Sequence, residues 1–229
     1  MKTNFAKLAM VSSLTLAAVM PGAAMAMDAS AATDLNIRSG PASNYTVLGV
    51  IPGGETAMLD GCVDDGSWCR VSYDGVDGWA YAPYLTVTAD EEAYVLPERP
   101  SSVQVGTVTY EDTGETLRDQ RAGASAGVVI GSLVAYAAGG PVGGIIAGGI
   151  LGGAVGSASV EPTTETVTYI QSNPVDTVFL DGEVAVGAGV PQEVTLYEIP
   201  TQSEYRYVNI NGQTVIVNPE TNAIVRVIR

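Results

Sequence analysis

Few residues in this 229-residue sequence could carry out catalysis or bind a metal. Histidine is absent, which removes the commonest general base and the commonest transition-metal ligand. Ser-His catalysis, Cys-His catalysis and ordinary zinc hydrolysis therefore have no residues to use. Asp64-Asp65 lies in a turn, and neither this pair nor Asp90-Glu91-Glu92 has the ligand spacing of a calcium-binding loop. We therefore predict no catalytic residues, no metal site, no cofactor and no enzymatic activity.

The sequence contains two cysteines, Cys62 and Cys69, which bracket a loop that includes Asp64-Asp65-Gly66. In an exported protein, a lone close pair favours a disulfide over a metal site. A redox role is the alternative, but the spacing is not C-x-x-C. We predict a Cys62–Cys69 disulfide across two adjoining strands, worth about 2–3 kcal/mol because it closes a short loop.

A small all-β unit is predicted to position the two cysteines. Residues 32–87 alternate apolar and polar side chains between turns that contain Gly and Pro. Leu35 and Ile37 share one face of a short strand that turns at Gly40-Pro41, and Gly40 is expected to have a positive φ angle. Further strands are predicted at residues 45–51, 55–60, 68–73 and 78–81. Five short strands with so little sequence between them predict a small barrel.

Four sequence blocks in this unit resemble the bacterial SH3-like (SH3b) domain. They are LNIRSGP, TVLGVIPGG, GSWCRVSYDGVDGW and the closing YAPYL of residues 81–85. The resemblance covers about the whole unit and implies a compact SH3-like barrel of exported and cell-wall-associated bacterial proteins. Such domains often bind peptidoglycan or its peptide stems. The family also serves as a structural spacer, so the fold alone does not imply a ligand.

Aromatic residues are the main candidates for ligand binding in the barrel. A tyrosine ring packs against a ligand while its hydroxyl stays available to hydrogen-bond a glycan or peptide. Trp79 has a second interpretation as a core aromatic. Arg38 could pair with a stem-peptide carboxylate, or brace its own turn instead. The predicted ligand-binding residues are Arg38, Tyr45, Tyr73, Trp79, Tyr81 and Tyr84.

The first 26 residues have the features of a secretory signal peptide. Lys2 and Lys7 form a positive region, an apolar stretch covers residues 8–20, and Ala24-Met25-Ala26 forms a cleavage site. An uncleaved membrane anchor is the alternative, but the apolar stretch is shorter than the ~20 residues of a membrane span. We predict export to the periplasm or cell envelope.

The predicted mature chain is strongly acidic. Its eight arginines face 25 acidic residues, which gives a net charge of −17 compared with −15 for the whole sequence. Such a surface repels phosphate backbones and anionic lipid headgroups. We therefore expect no nucleic-acid partner and no membrane attachment through a basic patch.

Residues 122–159 contain no charged residue and hold two runs of glycine at every fourth position, one over 123–131 and one over 140–156. Glycines four apart line one side of a helix and let a second backbone pack closely, so we predict a helical hairpin that turns at Gly139-Gly140-Pro141. It resembles the glycine zippers of bacterial envelope proteins and could contact a membrane or form a homo-oligomer. Because each interior glycine costs a helix about 1 kcal/mol, a flexible linker or another non-helical structure is the alternative. The zipper glycines are Gly123, Gly127, Gly131, Gly140, Gly144, Gly148, Gly152 and Gly156.

The C-terminal part, residues 173–229, is predicted to form a short β module behind an acidic linker at residues 88–121, which could hold one strand at 103–110. Strands are expected at 193–199, 205–210, 214–217 and 223–228, with a hairpin turn at Asn211-Gly212 and a three-strand meander at the end. The segment from NPVDTVFLDG to NAIVRVIR resembles a domain of unknown function in exported proteins of Gram-negative bacteria. That family is sometimes joined to an SH3-like domain.

Together these features predict a mainly β protein of the cell envelope. Its SH3-like barrel is expected to contact peptidoglycan or an envelope protein, and its zipper is expected to anchor or oligomerise the chain. The alternative is a structural or stress-related oligomer, or a small pore, built by the zipper. A wall hydrolase would need a chemically equipped segment that the sequence does not supply.

Overall fold

Two β-sheets make up most of the computed structural model, which describes residues 26–110, 129–133 and 161–229. One sheet has eight strands from the N-terminal part of the chain, and the other has six strands from residues 129 onward. We call them the N-terminal sheet and the C-terminal sheet.

The N-terminal sheet is antiparallel, with the order β3-β2-β6-β5-β4-β1-β7-β8. A two-residue hairpin joins β5 to β6 through Asp74 and Gly75, which have φ angles of 47° and 78°. Two consecutive positive φ values match the twist of antiparallel strands, so Asp-Gly favours this turn. The strands are β1 Met27–Ala31, β2 Leu35–Arg38, β3 Val47–Ile51, β4 Thr56–Cys62, β5 Trp68–Tyr73, β6 Val76–Tyr81, β7 Leu85–Ala89 and β8 Glu92–Val95.

The five predicted strands are present, but three further strands join them. β1 and β7 pair with each other, and β1 also pairs with β4. β8 lies inside the predicted linker 88–121, so the first part of that segment belongs to the N-terminal sheet. β1 has a weak sequence signal because its buried side chains are those of Ala29 and Ala31.

Gly40 has a different role from the one predicted. Its φ angle is not positive, and a Cβ atom added there would lie 2.5 Å from the ring of Tyr45. The expectation of a positive φ angle is therefore wrong. Glycine is needed at this position because the aromatic ring packs directly on the backbone.

The C-terminal sheet has the order β14-β13-β12-β10-β9, and β11 pairs with β12. The predicted three-strand meander is present as β12, β13 and β14, and Asn211-Gly212, with φ angles of 51° and 79°, joins β12 to β13. β10 was not predicted, and it pairs in parallel with both β12 and β9. The strands are β9 Val129–Ser132, β10 Thr177–Asp181, β11 Tyr197–Glu198, β12 Arg206–Ile210, β13 Gln213–Asn218 and β14 Ala223–Ile228.

The described residues contain one α-helix, α1 Thr164–Ser172, which the sequence analysis did not predict. Its N-cap is Thr163, whose hydroxyl oxygen accepts a hydrogen bond from the Thr166 amide. No helix in the described ranges has the length and apolarity needed to cross a membrane.

The prediction of a helical glycine-zipper hairpin is wrong for the part of it that the structure describes. Val129–Ser132 belongs to the first predicted arm, and these residues form strand β9 instead of a helix. β9 pairs in parallel with β10 at the edge of the C-terminal sheet. The rest of the segment, residues 122–128 and 134–159, lies outside the described residues.

Candidate binding site

The predicted ligand-binding residues fall into separate places on the N-terminal sheet. Arg38 and Trp79 are register partners on β2 and β6, and Arg38 Nη1 donates a 2.7 Å hydrogen bond to the Tyr45 carbonyl. Arg38, Tyr45 and Trp79 are all buried. Tyr81 and Tyr84 form a second group, with ring centroids 6.0 Å apart.

The second aromatic group extends to Trp68, whose ring centroid lies 5.2 Å from that of Tyr81. Tyr84 is buried in this group, and Tyr81 is half-buried. Tyr73, at the end of β5, is half-buried and packs on the edge of the N-terminal core. The six residues therefore do not form one groove, and a role in ligand binding remains a prediction for each of them.

Arg38 makes a buried ion pair with Glu183 of the C-terminal part. Arg38 is 1% exposed and Glu183 is 0% exposed. The guanidinium binds both carboxylate oxygens: Nη2 lies 2.5 Å from Oε1, and Nε donates to Oε2. This bidentate geometry is the strongest way in which arginine binds a carboxylate.

Two side-chain amides, of Asn36 and Gln213, and the backbone amide of Val184 also hydrogen-bond with this ion pair. Asn36 Nδ2 donates to Glu183 Oε1 and to Gln213 Oε1, each at 2.9 Å. Gln213 Oε1 also lies 3.3 Å from Arg38 Nη2, and the Val184 amide donates to Glu183 Oε1 at 2.8 Å. The carboxylate thus accepts four hydrogen bonds, so its buried charge is compensated. We call Asn36, Arg38, Glu183 and Gln213 the junction network.

The sequence patterns single out Arg38 but not the other three members of the junction network. Asn36 occupies a fully buried position on β2, a strand whose four residues are all buried. A buried amide in a short strand requires a polar partner, so Asn36 offered a usable signal. Glu183 and Gln213 resemble ordinary solvated residues of a turn and a strand in the sequence.

The stretch around Glu183 follows the N-terminal sheet over several residues, and we call residues 180–185 the crossing segment. Ser43 Oγ donates to the Leu180 carbonyl at 3.1 Å, and Asn36 Nδ2 approaches the Val184 carbonyl at 3.4 Å. Ala185 is part of the apolar core of the N-terminal sheet. Burial raises the pKa of the Tyr81 hydroxyl, and the negative charges of Asp181, Asp65 and Glu183 raise it further.

A polar cleft of about 640 Å³ opens beside the junction network, a volume within the range of small-ligand sites. Gln213 Nε2 in this cleft has no hydrogen-bond partner among the described residues. Arg229 lies in the cleft wall, and its Nη1 is 3.4 Å from Asp34 Oδ2. The lining residues from the N-terminal sheet are Arg38, Asn44, Tyr45, Thr46 and Val47, and those from the C-terminal sheet are Asn211, Gly212, Gln213, Thr214, Ile228 and Arg229.

A second contact covers the aromatic residues Tyr45 and Trp79. The ring of Tyr110 stands edge-on to both, with centroid distances of 5.8 Å and 5.6 Å. The chain before it is held by Cys62, whose amide donates to the Gly106 carbonyl at 2.9 Å and whose carbonyl accepts from Val108 at 2.8 Å. The predicted strand at residues 103–110 is thus a single β-bridge, between Cys62 and Thr107.

The predicted disulfide is confirmed. Cys62 and Cys69 are register partners on β4 and β5, and their sulfur atoms are bonded. In the loop between them, Asp65 accepts hydrogen bonds from the Ser67 hydroxyl and the Ser67 amide, and these bonds lower the pKa of the Asp65 carboxyl.

Comparison with known proteins identifies two domains. Residues 33–86 match the family model of the bacterial SH3 domain. The N-terminal sheet contains a bacterial SH3 domain. Residues 169–229 match a domain of unknown function, DUF1236. The resemblances to the SH3-like domain and to the domain of unknown function are therefore confirmed, and the junction network joins the SH3 domain to the DUF1236 domain.

One curated relative shares part of this chain. It is a protein of Bacillus subtilis (strain 168) named "Putative N-acetylmuramoyl-L-alanine amidase YrvJ", which is 31% identical over 93 residues. The similarity covers 40% of this chain and 17% of the relative. The chain therefore spans less than a fifth of that protein's length.

Proposed function

We propose that this protein is a non-enzymatic binding or scaffold protein of the cell envelope, whose SH3 domain contacts peptidoglycan or an envelope protein. The observation that carries the proposal is the polar cleft beside the SH3 domain's Arg38–Tyr45 loop. The bacterial SH3 domain and the partial similarity to a protein named as a wall amidase support a peptidoglycan ligand. The disulfide supports an oxidising compartment outside the cytosol.

The side chains of the cleft suit recognition of a glycan or peptide. Asn44, Gln213 and Thr214 offer amide and hydroxyl groups that both donate and accept hydrogen bonds. Arg229 adds a cation that could meet a ligand carboxylate. Glu183, the carboxylate beneath the cleft, is buried and held by Arg38, so it is not placed to exchange protons with a ligand. These features favour binding over catalysis.

Sedimentation with purified peptidoglycan sacculi tests the proposal. We expect the mature chain to pellet with sacculi, and Asn44→Ala combined with Thr214→Ala to weaken binding about tenfold, because each lost hydrogen bond contributes about 0.5–1.5 kcal/mol. Gln192→Ala is the matched control, since Gln192 is exposed and lies outside the cleft. Recovery of the unmodified chain wholly in the supernatant would overturn wall binding.

Anchoring or oligomerisation by residues 122–159 is the second part of the proposal, and it is based on the glycine spacing alone. Chemical cross-linking of the full chain tests it. We expect Gly148→Leu with Gly152→Leu to convert cross-linked oligomers to monomers. Identical cross-linking of the variant and the unmodified chain would contradict this part.

A further inference from the structure

The contact between the SH3 and DUF1236 domains is polar, whereas each domain has its own apolar core. The SH3 core is built from residues between 29 and 96, with Ala185 as its one member from the C-terminal part. Two other cores are built from residues between 133 and 227. Apart from Ala185, no buried residue of one domain belongs to the apolar core of the other.

The crossing segment meets the SH3 domain in the manner of a bound peptide. Its main-chain carbonyls at Leu180 and Val184 accept hydrogen bonds from Ser43 and Asn36 of the SH3 domain. Contacts to main-chain carbonyls do not depend on the side chains of the segment that makes them. The Glu183 side chain adds selectivity, because the Arg38 guanidinium and the Asn36 amide both bind its carboxylate.

We infer that the DUF1236 domain acts as an internal ligand of the SH3 domain. Its crossing segment occupies the Arg38 face, and release of this segment opens that face to an extended peptide that carries a carboxylate. A contact made of hydrogen bonds and one ion pair can be exchanged for an equivalent one, because the competing carboxylate offers the same acceptor oxygens. The DUF1236 domain thereby controls what the SH3 domain binds, and this regulatory part rests on the proposed wall binding.

Hydrogen exchange of the full chain tests whether the crossing segment is an internal ligand. Glu183→Gln keeps the shape of the side chain and removes its charge. We expect exchange in residues 36–46 and 180–185 to become about tenfold faster or more, while β4 and β5 keep their protection. Glu193→Gln is the matched control, because Glu193 is an exposed glutamate of the same domain. Unchanged exchange in both segments would overturn the inference.

A second variant is needed in case Glu183→Gln destabilises the whole protein instead of opening the junction locally. Gln213→Ala removes the oxygen that accepts from both Asn36 and Arg38 but keeps the ion pair. We expect faster exchange in the same two segments, to a smaller extent. Exchange that rises equally across β4, β5 and β13 in both variants would show that the two domains unfold as one unit, and would overturn the inference.

Sacculus sedimentation of the same variants separates the internal ligand from its regulatory role. If the face is closed in the unmodified chain, Glu183→Gln should bind sacculi about tenfold more tightly. Local opening with equal sacculus binding by both chains would overturn the regulatory role. If local opening is seen and no variant binds sacculi, the internal ligand stands and the proposed wall binding fails.

Discussion

The interior of each domain and the junction between the domains are built from opposite kinds of residues. The SH3 core consists of apolar side chains such as Leu35, Ile37 and Val71. The junction instead places an arginine, a glutamate and two amides against one another. Apolar packing is non-directional and tolerates many partners, whereas a polar network depends on the directions of its hydrogen bonds. The cores therefore maintain the two folds, and the junction selects how they meet.

Removal of one partner of the buried ion pair should break the junction most severely. Glu183→Ala leaves the Arg38 charge buried without compensation, so we expect a loss of about 3–5 kcal/mol in the free energy of unfolding. Urea denaturation measures this change. Glu198→Ala is the control, because Glu198 is exposed and its ion pair with the half-buried Arg206 should contribute under about 1 kcal/mol.

The double variant Arg38→Met with Glu183→Leu sharpens this result. It replaces both charges by apolar groups, so most of the stability lost in Glu183→Ala should return. Equal destabilisation by the single and double variants would show that the junction depends on the shape of these side chains and not on charge compensation.

Loss of the disulfide should have the next largest effect and should act within the SH3 domain. Cys62→Ser with Cys69→Ser removes a cross-link between residues seven positions apart, worth about 2–3 kcal/mol. Thermal unfolding with and without a reductant measures the change. The reductant should lower the melting temperature of the unmodified chain and leave that of the double variant unchanged.

Tyr110→Ala should uncover the aromatic face of the SH3 domain. Two edge-on ring contacts are lost, at roughly 0.5–1.5 kcal/mol each. In a Trp68→Phe background, Trp79 is the remaining tryptophan, and its emission should shift to longer wavelength as water reaches the ring. Thr109→Ala is the control at an exposed neighbour. An unchanged spectrum for Tyr110→Ala would show that Tyr110 does not shield Trp79.

The smallest expected effect is on the pH dependence of stability. The pKa of Tyr81 is raised above its ordinary value of 10.0, mainly by burial. Folding therefore favours the protonated hydroxyl, and the stability it contributes is present below about pH 10 and lost as the pH rises through the folded-state pKa. Urea midpoints between pH 9 and 11 should fall less steeply for Tyr81→Phe than for the unmodified chain.

The sequence was informative where the local structure depends on residues that are close together in the chain. The turns at Asp74-Gly75 and Asn211-Gly212 lie where their residue types predict them, since those residues adopt positive φ angles at low cost. The cysteine pair was predictable because a short loop brings its two ends together. Residues 129–132 show the limit of a local pattern: glycine spacing predicted a helix, but pairing with β10 makes a strand.

By itself, the sequence determined that the protein is mainly β, contains an SH3 domain and a disulfide, and offers no histidine chemistry. Only the tertiary structure decided what Arg38 binds. Its partner Glu183 is 145 positions away, and no periodicity or spacing connects two residues so far apart. A buried charge needs a compensating partner, but which acidic residue supplies it depends on how two separately formed sheets pack together.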